Sequence, residues 1–161
     1  MIGYQPGVVG GIARLHAHYY AKEAGFDQDF EIQVATELAE FVPRLKFRCN
    51  QLWSRWEKEN VTASVAIDGE TLGRGKGLLR WFIVHPSLHG MGIGSSLLNK
   101  ALRFCDEHNM TQVELWSFAG LDAARELYED NGFELAEERP GANLGKDALE
   151  QRFVRLAPVD A

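Results

Sequence analysis

The chain has 161 residues, of which 45% are hydrophobic and 25% charged, the proportions of an ordinary globular domain with one core. A formal net charge of −6 at pH 7 works against holding a phosphate backbone, so direct nucleic-acid binding is not expected, whereas a cationic substrate would be drawn in. No run of about twenty apolar residues and no charged-then-apolar leader occurs, and Cys49 and Cys105 share no paired spacing. A single cytoplasmic domain over residues 1–161, with reduced thiols and no membrane partner, is therefore expected.

In chain order, Val8, Ile12, Leu15 and Tyr19 recur at helical spacing after the Pro6-Gly7 breaker. Phe30, Val34, Leu38, Phe41 and Leu45 repeat that spacing after the turn from Gly25 to Asp29, so two helices open the chain. Leu52 to Lys58 and Val61 to Asp68 read as strands joined by a tight turn at Glu59-Asn60, with Asp68-Gly69 ending the second. A polar segment, ETLGRGKG, follows. Nucleotide binding through GRGKG is disfavoured because the segment lacks the flanking strand and helix of a phosphate loop. Leu78 to Val84, apolar except for Arg80, reads as a central strand covered on both faces.

From Phe82 to Ser96 the chain reads FIVHPSLHGMGIGSS, an apolar strand end, a proline-marked turn, a glycine cluster and the start of an amphipathic helix. Gly90, Gly92 and Gly94 let an anion approach the N–H groups that a first helical turn leaves unpaired, where the helix dipole adds about half a positive charge. No Lys-Ser or Lys-Thr follows, so the anion is read as a pyrophosphate held mainly by backbone rather than a nucleoside triphosphate. Ile93, Leu97, Leu98, Ala101, Leu102 and Cys105 form one stripe of a helix ending near His108-Asn109. Val113 to Phe118 is then a predicted strand, Ala123 to Asn131 a short helix closed by Gly132, and Phe133 to Glu137 and Glu150 to Leu156 the last two strands. This order predicts an α/β (α+β) fold whose mixed sheet carries helices on both faces.

His89-Gly90-Met91-Gly92-Ile93-Gly94 after Trp81-Phe82-Ile83-Val84, followed by Ala124-Arg125-Glu126-Leu127-Tyr128 and Asn131-Gly132-Phe133, resembles the GNAT superfamily of acyl-CoA-dependent N-acetyltransferases. The resemblance covers about Leu78 to Arg139 and implies a mostly antiparallel mixed central sheet. It implies acetyl-CoA as co-substrate, no metal, and direct transfer of acetyl to the primary amine of an unidentified acceptor, without a covalent enzyme intermediate. Phe82, Ile83 and Val84 would border the pantetheine arm, with Phe82 and Val84 offering backbone groups to it. The N–H groups of Gly90, Met91, Gly92, Ile93, Gly94 and Ser95 would hold the pyrophosphate, with hydroxyls from Ser95 and Ser96 and with Ala124 on the following helix. His89 stands where the family has Arg or Gln; it reads either as a phosphate ligand or as a turn residue facing solvent.

Tyr128 matches the tyrosine that protonates the departing thiolate in the family, a role open to a phenol within hydrogen-bond reach. For the base, Leu78 to Val84 holds no carboxylate, and Asp68 and Glu70 are the nearest candidates by chain order. Each also reads as a turn carboxylate, and ordered water or a side chain from the opening helices are alternatives. His16 and His18, two apart on a helix, face different ways and are read as one packed and one exposed residue rather than a metal pair. Trp53, Trp56, Trp81, Trp116 and Phe118 are either core or the lining of an acceptor pocket. The segment from Pro140 to Leu149 is the expected source of acceptor selection. The wording WSFAGLDAARELYEDNGF also resembles the acetyltransferase half of bacterial MarR fusions, so a MarR-type DNA-binding partner, like a homodimer, stays open. The alternative function is a non-catalytic acyl-CoA sensor.

Overall fold

The computed structural model describes residues 1–141 and 148–158. Gly7, at a φ of 91° that suits only glycine, turns the chain from Pro6 into α1 (Val8–Ala24), which ends at Gly25 with its N–H on the Tyr20 carbonyl. Asp27 then caps α2 (Gln28–Phe41) by accepting the Asp29 N–H at 3.0 Å. The helix expected to reach Leu45 stops at Phe41. Pro43 brings no N–H for the carbonyl one turn back, and the chain tightens into a 3-10 turn over Val42–Lys46.

β1 (Gln51–Glu57) and β2 (Asn60–Asp68) form the expected hairpin, with the turn at Lys58-Glu59 rather than Glu59-Asn60. Glu57 pairs with Asn60, and Lys58 takes the left-handed φ of 55° that such a turn demands. β3 (Lys76–Val84), α3 (Ile93–Glu107), β4 (Gln112–Phe118) and α4 (Asp122–Asp130) follow as read from the sequence. β5 (Phe133–Pro140) runs past Glu137, paired with β6 (Leu149–Leu156) through Arg139↔Glu150 and Pro140↔Leu149. Proline is tolerated there because β5 is an edge strand.

The sheet order is β1-β2-β3-β4-β6-β5, and only β3 and β4 run parallel. One core lies between the sheet and α1 and α2, where Val8, Ile12, Leu38 and Phe41 meet Leu52, Ala66 and Ile83. The other lies between the sheet and α3, whose predicted stripe is buried from Leu97 through Leu98, Ala101, Leu102 and Cys105 against Ala63, Val65, Ile67 and Val113, with Ile93 at its start partly buried. Each buried Leu contributes roughly 1.5–3 kcal/mol, so packing more than propensity holds α3 in place.

Two irregularities of β3 create the space for a site. Its parallel pairing with β4 covers only Lys76↔Gln112, Gly77↔Val113 and Leu78↔Glu114, while β4 keeps its ladder to β6 along its whole length. Beyond Leu78 the two strands part into a wedge. A bulge then sets Trp81 and Phe82 opposite Val65, with Trp81 at a φ of 49° and its carbonyl accepting the Ser64 hydroxyl at 2.6 Å. The extra residue shifts the alternation of side chains, so Arg80 and Trp81 face the same side. The Arg80 guanidinium lies 4.1 Å over the indole and bonds Glu37 on α2.

Candidate active site

Two cavities occupy the wedge and meet at Tyr20, Phe82 and Tyr128. The first, of about 340 Å³, is bordered by Phe82, Ile83 and Val84 on β3, by His89, Gly90, Gly92, Ile93, Gly94 and Ser95 at the start of α3, and by Ala124 and Leu127 on α4. It thus collects most of the residues expected to hold the donor. Met91 and Ser96 are not among them; their side chains line a separate hollow with Trp53 and Trp56.

The N–H groups of residues 90–95 make no backbone hydrogen bond among the described residues, and the first helical bond runs from the Ser96 N–H to the Gly92 carbonyl at 3.0 Å. Gly90 and Gly92 have φ of 81° and 78°, so their hydrogen side chains are needed for backbone shape; a Cβ on either would meet open space. Gly94 has ordinary φ, and a Cβ there would sit 3.4 Å from the Phe82 ring, inside the cavity wall. The row of free donors at a helix N-terminus fits a pyrophosphate.

On β3, the His85 N–H bonds the Thr62 carbonyl at 2.8 Å, so the backbone groups of Val84 turn away from β2 and into the wedge. There His89 intervenes. Its Nε2 lies 3.0 Å from the Val84 carbonyl, and because a carbonyl only accepts, Nε2 carries the hydrogen. Neither reading of His89 from the sequence foresaw that it would cap this carbonyl.

Tyr128 is 5% exposed, with its ring 5.9 Å from Phe82, 6.0 Å from Phe133 and 5.8 Å from Phe153. Its hydroxyl has no partner among the described residues, where no side-chain polar atom is both sealed from solvent and unpartnered; the hydroxyl therefore opens onto the cavities. Burial raises its pKa, with smaller contributions from Tyr20 and Tyr19, so it stays a phenol with a proton to give.

The second cavity, of about 360 Å³, lies toward α1 and α2 and is walled by His16, Tyr20, Phe30, Glu37, Arg80, Trp81, Trp116, Phe118, Arg139 and Glu150, among others. Of the five aromatic residues with two readings, Trp81, Trp116 and Phe118 line it, while Trp53 packs in the α3-side core. His16 is buried and His18 exposed, as expected of the pair. Arg139 and Glu150, bonded at 2.9 Å, border the cavity from either side of the segment expected to select the acceptor; its residues 142–147 lie outside those described. Tyr19 and Tyr20 lie on the first helix beside His16 and His18, where the resemblance placed an acceptor pocket, whereas nothing in the sequence marked Glu37 and Arg80 as lining residues. Tyr20, four residues after His16, shares one helix face with it.

Asp68 and Glu70, the base candidates by chain order, border neither cavity. The Asp68 side chain is fully buried, 2.9 Å from Arg44 and 3.3 Å from Arg80, and accepts the Thr71 hydroxyl and the N–H groups of Glu70 and Thr71. Burial acts to raise its pKa, but those donors outweigh it and hold the carboxyl well below the ordinary range. Glu70 is bound by Arg44 and Asn50, which lower its pKa. Carboxylates so firmly held are poor proton acceptors, and both serve to tie the end of β2 to the 3-10 turn after α2. Burial likewise raises the thiol pKa of Cys49, and pushes that of Cys105 up to about 12 within the α3-side core. No group of three or more His, Cys, Asp and Glu residues suited to a metal occurs among the described residues, and no described helix is long and apolar enough to cross a membrane.

In fold the chain is similar to yncA of Salmonella typhimurium, assigned as an acetyltransferase and solved with its cofactor acetyl-CoA, at a TM-score of 0.76 and 17% identity over 100% of this chain and 95% of that one. It is also similar to the ribosomal-protein-alanine N-acetyltransferase of Brucella melitensis (TM-score 0.75, 13% identity, 98% and 99% covered) and to a GNAT acetyltransferase of Staphylococcus aureus (TM-score 0.73, 16% identity, 97% and 98% covered). No curated protein matches it in sequence. The sequence model of the acetyltransferase (GNAT) family matches residues 23–133, which span β3, the glycine turn, α3, β4 and α4, and the chain belongs to that family.

Proposed function

We propose that the protein transfers an acetyl group from acetyl-CoA directly to a primary amine, with both substrates bound at once. The observation that carries this reading is the meeting of two cavities at Tyr20, Phe82 and Tyr128. In this reading the first cavity takes the donor: the free N–H groups of residues 90–95 hold its pyrophosphate, and the Val84 backbone pairs with its pantetheine arm once His89 swings off the carbonyl. The second cavity takes the acceptor, and the negative net charge of −6 favours the approach of an amine. Tyr128 gives its proton to the leaving sulfur, a role worth about a hundredfold to ten-thousandfold. Direct transfer agrees with the state of the two cysteines, whose raised pKa values disfavour a thiolate nucleophile.

The test is thiol release from acetyl-CoA across a panel of primary amines, with calorimetric binding of acetyl-CoA measured in parallel. Release that depends on the amine, and that falls with Tyr128→Phe while donor affinity holds, supports the reading. Tight acetyl-CoA binding with no amine-stimulated release identifies an acyl-CoA sensor instead.

A further inference from the structure

We propose that His16 on α1 is the catalytic residue that takes the proton from the acceptor nitrogen, through its Nε2 atom. The proposal rests on the transfer reading above and supplies the base that the carboxylates of β2 do not.

His16 is 5% exposed and lines the acceptor-side cavity. Its Nδ1 lies 2.8 Å from the Ile12 carbonyl. That carbonyl can only accept, so Nδ1 carries the hydrogen and the lone pair of the neutral ring is on Nε2. Nε2 has no partner among the described residues, where no side-chain polar atom is both sealed and unpartnered, so it opens onto the cavity. One helical turn on, the Tyr20 ring stacks beside the imidazole at 6.1 Å and 16°, and Tyr20 borders the donor-side cavity together with Tyr128. The lone pair thus faces the acceptor-side cavity, which Tyr20, Phe82 and Tyr128 border jointly with the donor-side one.

The other titratable groups facing this cavity are engaged or protonated. Glu37 on α2 is bound to Arg80 on β3 at 3.2 Å, and Glu150 on β6 to Arg139 on β5 at 2.9 Å. Tyr20 and Tyr128 are phenols whose pKa burial raises. Burial also lowers the His16 pKa to about 4, against the Ile12 hydrogen bond that raises it, so the ring stays an unprotonated acceptor at neutral pH.

The step balances as follows. A neutral amine uses its nitrogen pair to form the N–C bond at the thioester carbon, and the carbonyl π pair moves to oxygen. The nitrogen, now cationic beside a carbon bearing oxygen and sulfur, is far more acidic than a free ammonium and gives its proton to His16 Nε2. The oxygen pair re-forms the carbonyl, the C–S pair leaves with sulfur, and Tyr128 protonates the sulfur. Solvent returns the His16 proton to the Tyr128 phenolate, leaving amide, thiol and the starting enzyme.

The test uses the full chain with 2-phenylethylamine, spermidine and glycinamide as probe amines. His16→Asn places its amide N–H2 near Nδ1 and keeps the bond to Ile12, but has nothing at Nε2; His16→Gln places an amide where the lone pair was. Both are expected to lower kcat by roughly a hundredfold to ten-thousandfold, with KM for the amine and acetyl-CoA affinity within about threefold. A merely structural His16 predicts that His16→Asn restores turnover, and a kcat above half the wild-type value overturns the proposal. Wild-type protein that binds acetyl-CoA but releases no thiol with any probe overturns the transfer reading and His16's role together. One readout needs no variant: in nitrogen-15 spectra of the wild type, Nε2 must be the unprotonated ring nitrogen, and a hydrogen on Nε2 overturns the proposal even if both variants fail to fold.

Discussion

Replacing Asp68 by Asn tests whether the end of β2 is structural or catalytic. The wild-type carboxylate accepts from Arg44 Nη2 at 2.9 Å, Arg80 Nη1 at 3.3 Å, the Thr71 hydroxyl at 2.6 Å and the N–H groups of Glu70 and Thr71 at 2.9 and 3.0 Å. An Asn oxygen can still serve the two backbone donors. Its N–H2, however, must face two guanidinium groups and a hydroxyl, with the negative charge gone from a side chain that is 0% exposed. Breaking a buried ion pair in this way costs about 3 to 5 kcal/mol. For a chain of this size, where each kcal/mol moves Tm by roughly 2–4 °C, the variant should melt roughly 6 to 20 °C lower. Differential scanning calorimetry at pH 7 reads the shift, and turnover at 15 °C with the best probe amine reads the chemistry on folded protein. Because the folded pKa lies below the ordinary 3.8, the carboxylate's contribution is complete above that value and drains away as pH falls toward the folded one. Wild-type stability should therefore fall more steeply than that of Asp68→Asn as pH drops below about 3.8. An unchanged Tm, or folded variant with lost turnover, refutes the structural assignment.

Three further outcomes are expected. Tyr128→Phe should lower kcat roughly a hundredfold or more with acetyl-CoA affinity unchanged by calorimetry, and equal turnover removes Tyr128 from the chemistry. Gly92→Ala forces a Cβ onto the left-handed backbone at the start of α3, costs about 1–2 kcal/mol, and should weaken acetyl-CoA binding at least severalfold; undiminished affinity argues against the glycine turn as the pyrophosphate site. His89→Ala frees the Val84 carbonyl from a hydrogen bond worth about 0.5–1.5 kcal/mol and should tighten donor binding by up to about tenfold, whereas a tenfold loss would make His89 a phosphate ligand.

The elements legible in the sequence were those whose pattern and packing agree. The α3 stripe and the strands around it are local signals: an apolar period of 3.6 or 2 that the cores then bury. Departures came where one residue's backbone chemistry outvoted the pattern, as Pro43 did at the end of α2 and Lys58 at the hairpin. The cavity proposed for the donor was legible because its strand end, glycine turn and helix N-terminus are contiguous from Phe82 to Ser95, with a second short window at α4 adding Ala124, Leu127 and Tyr128.

The acceptor side is not contiguous. Its wall is drawn from α1, α2, β3, β4, β5 and β6, and the sequence says nothing of which faces meet until the β3–β4 wedge opens. The bulge at Trp81 illustrates the difficulty. Strict alternation would send Arg80 and Trp81 to opposite faces, whereas the extra residue sends both toward α2, puts Arg80 within reach of Glu37, and completes a wall the pattern alone would have broken. Asp68 shows the converse error. Nearness in chain order to the glycine turn favoured it as a base, yet β2 and β3 run antiparallel, with Asp68 opposite Leu78 and Ala63 opposite Val84. Asp68 therefore sits at the closed end of the wedge, while Val84, beside the cavity proposed for the donor, lies at the open end. A base for this chemistry has to come from an element that crosses the open part of the wedge, and α1, which brings Tyr20 to the junction, carries His16 there one turn earlier.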